Sequence, residues 1–499
     1  MADDNLAPAR FGSAFKEFME AVVAAATPPS SPLLERMQAH LGADLAQRPV
    51  VAEEYATFDH PNLQVALDAY LAGPGRHADL VGVGADNKRY MAFGLSDLLS
   101  RGGMPGVRPP TEGPVDYVNI HLAGERILSC VQFGLYFIHD GDRRLVVLVT
   151  GPTDNGPREK LRVEVLADRP EEGQAFLEEL TAAMERLNVY RGHTISLAAA
   201  QFRPGRQTLI SFHELPRVAR ADVILPEGVL ERIERHTVVF AERAERLRAA
   251  GRSLKRGLLL YGPPGVGKTL TVMYLAGRMP GRTTILTTGL GLGLLQPTVQ
   301  LARTLAPSMV VLEDVDLIAE ERGRPGGAGP MLFELLNEMD GLRDDSDIIF
   351  VLTTNRPDIL EPALAARPGR VDLAVELPLP DAGERRRLLD LYARGLETRD
   401  VDVDALAART EGATPAYVKE LLRKAAVLAA MEGAELVVTG AHLEEALAEL
   451  AEGGRLAQRL LGFHATHAPA DSLPALDPSR QAPTGFPPAT AIETPDKRM

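Results

Sequence analysis

The sequence predicts an α/β fold: a parallel sheet covered by helices, followed by a small helical domain and preceded by an α+β region. Three features support this. Between residues 216 and 380, short apolar runs alternate with helical patterns, as in a parallel sheet with helical crossovers. Within that stretch the glycine-rich octapeptide Gly262-Pro-Pro-Gly-Val-Gly-Lys268-Thr269 lies between one such run and a helical pattern. Beyond Asp381, Tyr417, Val418, Leu421, Leu422 and Ala425 recur at helical spacing.

A chain of 499 residues exceeds one ordinary core, so two or three domains are expected. The divisions read as an N-terminal α+β region over 1–215, an α/β domain over 216–380, a helical domain over 381–455 and a tail over 456–499. The tail is rich in Pro, Ala and Thr, has few large apolar groups, and is expected to be mostly disordered. Apolar content of 45% and charged content of 24% are those of a soluble globular protein. With 54 basic and 68 acidic residues, the net charge of −14 argues against a general nucleic-acid or anionic-membrane binder. A single cysteine, Cys130, excludes an intramolecular disulfide framework and suits a reducing cytoplasm. No apolar run approaches the ~18 residues of a membrane span. The opening Met-Ala-Asp-Asp-Asn lacks the basic then apolar pattern of a signal peptide.

The elements follow in order. Phe15–Ala26 has helical patterning, Pro28-Ser-Ser-Pro32 breaks it, and a second helix starts at Leu33. Arg101–Pro114 is Gly/Pro-rich and reads as a linker or long loop. Residues Val115–Leu122 alternate, and Ile127–Ile138 and Leu145–Val149 flank His139-Asp-Gly-Asp142, a hairpin signal. Leu161–Leu166, Thr194–Leu197 and Thr208–Phe212 read as further strands of this region, with one helix between Glu171 and Leu187. Its histidines, His121, His139 and His193, are scattered and read as structural. The α/β domain contributes strands at Leu258–Tyr261, Thr284–Leu286, Met309–Leu312, Ile348–Leu352 and Leu373–Val375.

The octapeptide fits G-x-x-x-x-G-K-[ST], with the buried strand before it and the helix after it that the motif requires. In such a cradle, backbone N–H groups point inward and the helix N-terminus favours anions. Gly262, Pro263, Pro264, Gly265, Val266, Gly267, Lys268, Thr269 and Leu270 are therefore the candidate residues for binding a nucleoside triphosphate. Lys268 would meet the β/γ-phosphates and the Thr269 hydroxyl would coordinate Mg²⁺. The strand Met309–Leu312 runs into Glu313-Asp314-Val315-Asp316, acids at the strand edge where a parallel sheet places ligands. One acid serves the metal and a second polarises the attacking water. Strand Ile348–Leu352 ends in Thr353-Thr354-Asn355, and a neutral amide there can hold that water without added charge. Arg367-Pro-Gly-Arg370 sets two arginines on one corner, suited to phosphate contact.

In that order and spacing, these elements resemble the AAA family, the ATPases associated with diverse cellular activities. The likeness covers Asp222 to about Ala425, some 200 of the 499 residues. It comprises Walker A (Gly262–Thr269), Walker B (Val310–Asp316), Leu335-Leu-Asn-Glu-Met-Asp-Gly341, sensor 1 at Asn355 and the arginine corner. The resemblance implies ATP and Mg²⁺ as cofactors, with Thr269 and Glu313 on the metal, Asp314 as general base and Asn355 positioning water. It implies that Arg367 and Arg370 are arginine fingers acting on a neighbouring subunit of a homo-hexamer. It also implies that Asp222-Val-Ile-Leu-Pro226 wraps the adenine and that Thr410–Thr414 opens the lid helix.

Three departures stand out. The acids run Glu313-Asp314 where the family usually has Asp then Glu; the family's mitochondrial complex-III assembly ATPase shares this order. The arginine corner carries one more residue, at Ala365-Ala366, than the common pattern. Gly289-Leu-Gly-Leu-Gly-Leu-Leu295 stands where the family often has an aromatic pore loop; its leucines could form an apolar ring or pack a shortened helix. The leading reading is a cytoplasmic ATPase ring that remodels a protein partner, with no nucleic acid and no membrane span. The alternative is an ATP-dependent scaffold or switch with slow or no hydrolysis.

Overall fold

Alternating outer strands around a continuously apolar centre build the first sheet, and continuous apolar runs build the second. A computed structural model describes residues 8–25, 31–42, 44–84, 94–99, 111–152, 160–199, 208–287, 294–316, 346–358, 360, 371–432 and 436–452.

The chain begins with helices α1 (Pro8–Ala25) and α2 (Pro32–Leu41). An antiparallel sheet follows, made of β1 (Val50–Tyr55), β2 (Arg76–Gly84), β3 (Thr111–Gly113), β4 (Asp116–His121), β5 (Ile127–Asp140), β6 (Arg143–Thr150) and β7 (Leu161–Leu166). Its order is β1-β7-β6-β5-β2-β3, with β4 also paired to β5. The expected hairpin is present: β5 and β6 are joined at Gly141, whose φ is +59°. The run Leu145–Val149 is apolar throughout because the sheet is covered on both faces. On one face α2 and α4 (Leu95–Leu99) pack Leu33, Met37 and Leu95 against Phe133, Leu135 and Leu148. On the other, α3 (His60–Leu71) and α5 (Pro170–Arg186) pack Leu63, Leu67, Phe176 and Leu180 against Val147, Val163 and Val165. α5 starts with Pro170, Glu171 and Glu172, residues that fit the unpaired donors and positive end of a helix N-terminus.

The second sheet is the predicted parallel one. Its members are β8 (Thr194–Ala199), β9 (Thr208–His213), β10 (Arg256–Tyr261), β11 (Thr283–Thr287), β12 (Ser308–Leu312), β13 (Ile348–Thr354) and β14 (Leu373–Glu376), in the order β14-β10-β13-β12-β11-β8-β9. All neighbours are parallel except β8 and β9. Helices α6 (Val229–His236), α7 (Val238–Glu242), α8 (Ala244–Ala249), α9 (Lys268–Arg278) and α10 (Leu295–Thr304) accompany it. Every residue of β12 and β13 is buried, which is why they read as unbroken apolar runs.

One expectation from the sequence is corrected here. Thr194–Leu197 and Thr208–Phe212 read as strands of the N-terminal region, yet β8 pairs with β11 and extends the parallel sheet. The break between the two sheets therefore precedes residue 194, not 216. The joining segment is anchored on both sides. The Tyr190 hydroxyl donates to Phe58 O (2.6 Å) while its ring lies in the core of the parallel sheet.

The third part has helices Ala382–Tyr392, Val403–Arg409, Pro415–Glu432 and Gly440–Glu452. It also holds a short parallel ladder between Glu397–Arg399 and Val437–Thr439, which the purely helical expectation missed. Asp381 and Glu384 form a capping box at the first helix. Segment Asp222–Pro226 joins two cores: Val223 and Leu225 pack in that of the parallel sheet and Ile224 in the helical one. Arg394 adds an ion pair to Asp222 (2.8 Å).

Candidate functional site

The site forms at the carboxyl ends of β10, β12 and β13, where three turns meet. After Tyr261 the chain enters the glycine-rich loop. Gly262 has a φ of +147°, and a Cβ there would lie 2.2 Å from Leu377 O, so only glycine fits. Gly267 ends the loop and Lys268 is the first residue of α9. Lys268 is 7% exposed. Its ammonium donates to Gly262 O, Pro263 O and Asn355 Oδ1, each at 2.8 Å. Burial lowers the Lys268 pKa below the usual lysine range, while Asp314 and Asp316 act in the opposite direction.

Glu313 and Asp314 follow β12. Asp314 has a φ of +50°, an uncommon conformation for a non-glycine residue, and its N–H donates to Thr353 Oγ1 (3.1 Å). Asn355 closes the array, with Nδ2 donating to Asp314 Oδ1 at 3.1 Å while Oδ1 accepts from Lys268. Both ends of the amide are thus committed, fixing its orientation between the cation and the acid. The sequence-predicted Lys268, Asp314 and Asn355 come together as one hydrogen-bonded chain.

Glu313 fits the metal expected of it. Its Oε1 is buried and, among the described residues, has no hydrogen-bond partner. An unsatisfied buried carboxylate oxygen is a costly group that a hard cation with oxygen ligands would complete. Thr269 is exposed at the start of α9. Pro263, Pro264, Val266 and Leu270 fall in or beside the loop as expected, with Val266 buried in the core beneath it. The lid reaches the loop directly: Ala416 N donates to Gly265 O (3.2 Å). Arg367, Arg370, Leu335–Gly341, Gly289–Gly293 and the tail lie outside the described residues.

Two participants were not singled out from sequence. Asp316 accepts from Thr354 Oγ1 (2.8 Å) and Asn355 N (3.3 Å). Thr414 caps the lid helix, its Oγ1 accepting from Tyr417 N (3.2 Å), and lies against the loop at Gly265. The acidic run signalled the first, and Thr414 closes the Thr410–Thr414 segment read as opening the lid, though its contact with the loop had no local signal.

Comparison with known families places residues 258–379 in the ATPase family associated with various cellular activities (AAA), and residues 400–445 in the AAA+ lid domain. The ATPase core of this chain belongs to the AAA family. Curated relatives of the AAA core include the ATP-dependent zinc metalloprotease FtsH of Mycobacterium tuberculosis strain H37Rv, 34% identical over 264 residues, or 50% of this chain and 34% of that protein. FtsH of Thermus thermophilus is 36% identical over 263 residues, 50% of this chain and 41% of that protein. FtsH 1 of Conexibacter woesei is 34% identical over 261 residues, 49% and 39% of the two chains. The chain spans only about 34–41% of the length of these relatives. Among the described residues, no cluster of three or more His, Cys, Asp or Glu could hold a metal ion, and no helix is long and apolar enough to cross a membrane.

Proposed function

We propose that this AAA core hydrolyses ATP at sites shared between subunits of a cytoplasmic homo-hexamer and uses the cycle to remodel a protein partner. The observation behind this is the Lys268–Asn355–Asp314 chain, which sets a phosphate-binding cation, a water-positioning amide and a base within one hydrogen-bonded array. Asp314 Oδ1 accepts the proton of the attacking water, and Asn355 holds that water in line. Lys268 exchanges one of its two loop carbonyl partners, Gly262 O or Pro263 O, for the β/γ-phosphates as the loop N–H groups surround them. Glu313 and Thr269 would hold Mg²⁺, which when bound neutralises charge between the phosphates. Arg367 and Arg370 would act from the neighbour. Cys130 is buried, and burial pushes its thiol up to about 12, which keeps it protonated and unreactive. The protease activity in the relatives' names is theirs; the shared stretch is ATPase and lid.

The test is complementation. Lys268→Ala should lose ATP binding and Arg370→Ala should bind ATP without turnover. Mixed, the two should recover part of the parental rate, because an intact loop meets an intact finger. A finger contributes about 10³–10⁵ in rate in GTPases, so the loss and recovery are measurable. No recovery, with turnover independent of protein concentration, would point to the second reading, a monomeric ATP switch. That reading is favoured by one feature: Asp314 is a methylene shorter than the usual base.

A further inference from the structure

Asp316 lies beyond the two acids assigned to metal and water, and it is only 6% exposed. A carboxylate that deep is costly unless its oxygens are well paired. Its partners lie at the tip of β13. Along most of its length β13 is held by a backbone ladder to β12, but that ladder ends at the Leu312–Leu352 pair. The two residues after Leu352 therefore have no β12 partner. On that side the turn at residues 314–316 holds them, while on the other they pair with Leu260 and Tyr261 of β10. Val315 N donates to Thr353 O (3.0 Å) and Asp314 N to Thr353 Oγ1 (3.1 Å). Next along the strand, the fully buried Thr354 donates its hydroxyl to Asp316 Oδ1 (2.8 Å) and accepts from Arg356 N (2.9 Å). The same Asp316 oxygen accepts from Asn355 N (3.3 Å). One carboxylate oxygen thus fixes the side chain before Asn355 and the peptide of Asn355 itself.

We propose that Asp316 is a positioning residue for ATP hydrolysis, fixing the tip of β13 so that Asn355 spans Lys268 and Asp314. This rests on the hydrolytic reading of the site. Without Asp316 the Asn355 peptide N–H and the Thr354 hydroxyl both lose their acceptor, and the amide is free to leave the line between cation and base. A misplacement of about 1 Å at such a group costs on the order of 10²-fold in rate. Nucleotide affinity, set by the loop, should change little.

The experiment compares the full chain with Asp316→Ala, Asp316→Asn and Thr354→Val. It reads kcat and KM by phosphate release, ATP affinity by calorimetry and folded fraction by circular dichroism. The expected result is that Asp316→Ala loses about 10²-fold in kcat with KM and affinity within about 3-fold. Asp316→Asn, which keeps an acceptor oxygen, should recover at least about 5-fold of that loss, and Thr354→Val should lose about 10-fold. If Asp316→Ala does not fold, the other two variants decide, because each removes only part of the contact. Parental kcat in Thr354→Val and Asp316→Asn with Asp316→Ala either parental or unfolded overturns the role. So does a kcat loss matched by an equal loss of ATP-binding protein. A parent chain that binds ATP without turnover overturns both this role and the hydrolytic reading; unaffected variants of an active parent overturn only this role.

Discussion

Replacing Gly265 by alanine should detach the lid from the nucleotide loop, and the structure gives the size of the effect. Gly265 has a φ of +83°, and a Cβ there would lie 3.0 Å from Thr414 Oγ1 and 3.1 Å from Ala416 Cβ. Thr414 is the capping residue of helix Pro415–Glu432, and Ala416 N is hydrogen-bonded to Gly265 O. The added methyl therefore presses on a cap worth about 1 kcal/mol and on a hydrogen bond worth about 1 kcal/mol net. The left-handed backbone adds about 1–3 kcal/mol of strain of its own. Gly267→Ala is the control, because its φ is +104° but nothing lies within 4 Å of the new Cβ. Both variants carry strain, and only one meets the lid. Amide exchange in helix Pro415–Glu432 should quicken about 30-fold in Gly265→Ala, corresponding to about 2 kcal/mol of easier local opening, and by under about 3-fold in Gly267→Ala. Equal exchange in the two variants would refute the idea that this contact docks the lid.

Asp314→Asn should keep ATP affinity and lose about 10²–10⁴-fold in turnover, whereas Glu313→Gln should raise the Mg²⁺ requirement; the reverse pattern in phosphate-release and Mg²⁺ titrations exchanges their roles. Arg282 and Asp347 form a buried pair at 2.7 Å, 6% and 8% exposed, so Arg282→Ala should cost about 3–5 kcal/mol by stranding the acid, read as a lower urea midpoint. Burial holds the pKa of His40 and His60 below their ordinary 6.5 in the folded chain, so the unfolded chain takes up protons first as the pH falls. Their contribution to stability is complete above pH 6.5 and is lost as the pH falls through the folded values. Urea midpoints should drop below pH 6.5, and His60→Gln, which can still donate to Val131 O, should flatten the drop.

What the sequence made legible was what is decided locally. Met309–Leu312 and Ile348–Leu352 are buried on both faces, and their unbroken apolar runs identified them as inner strands. Lys268, Asp314 and Asn355 each follow such a strand, so a correct strand reading brought them to one edge. Pairings across the chain were not legible. β8 and β9 alternate in a way that suits either sheet, and only the pairing of Ile195 with Ile285 settles which one they join. His77 and His139, far apart in sequence, stack at 4.4 Å because β2 and β5 pair them directly. His40 then meets His139 at 4.6 Å from the helix above. The contact of Ala416 with Gly265 has no local signature either, since it depends on how the lid docks.

The segment between the two sheets does more than connect them. Val189 N donates to Asn62 Oδ1 (2.9 Å) on α3, and Tyr190 fills the core of the parallel sheet. Arg191 then joins two helix ends. Its Nε donates to Glu185 O (3.2 Å) near the end of α5, and its Nη atoms donate to Thr304 O and Ala306 O (both 2.9 Å) at and beyond the end of α10. Carbonyls at a helix C-terminus lack intrahelical donors, and a guanidinium with several fixed donors is well suited to satisfy them. α10 begins at Leu295, shortly after the Gly289–Gly293 stretch where AAA proteins often carry a pore loop. A shift of α10 that left Arg191 behind on α5 would strand the two carbonyls of Thr304 and Ala306. Moving the N-terminal sheet together with α10 keeps every one of these bonds, so a displacement of α10 has a continuous bonded route to the region that the sequence alone left without a role.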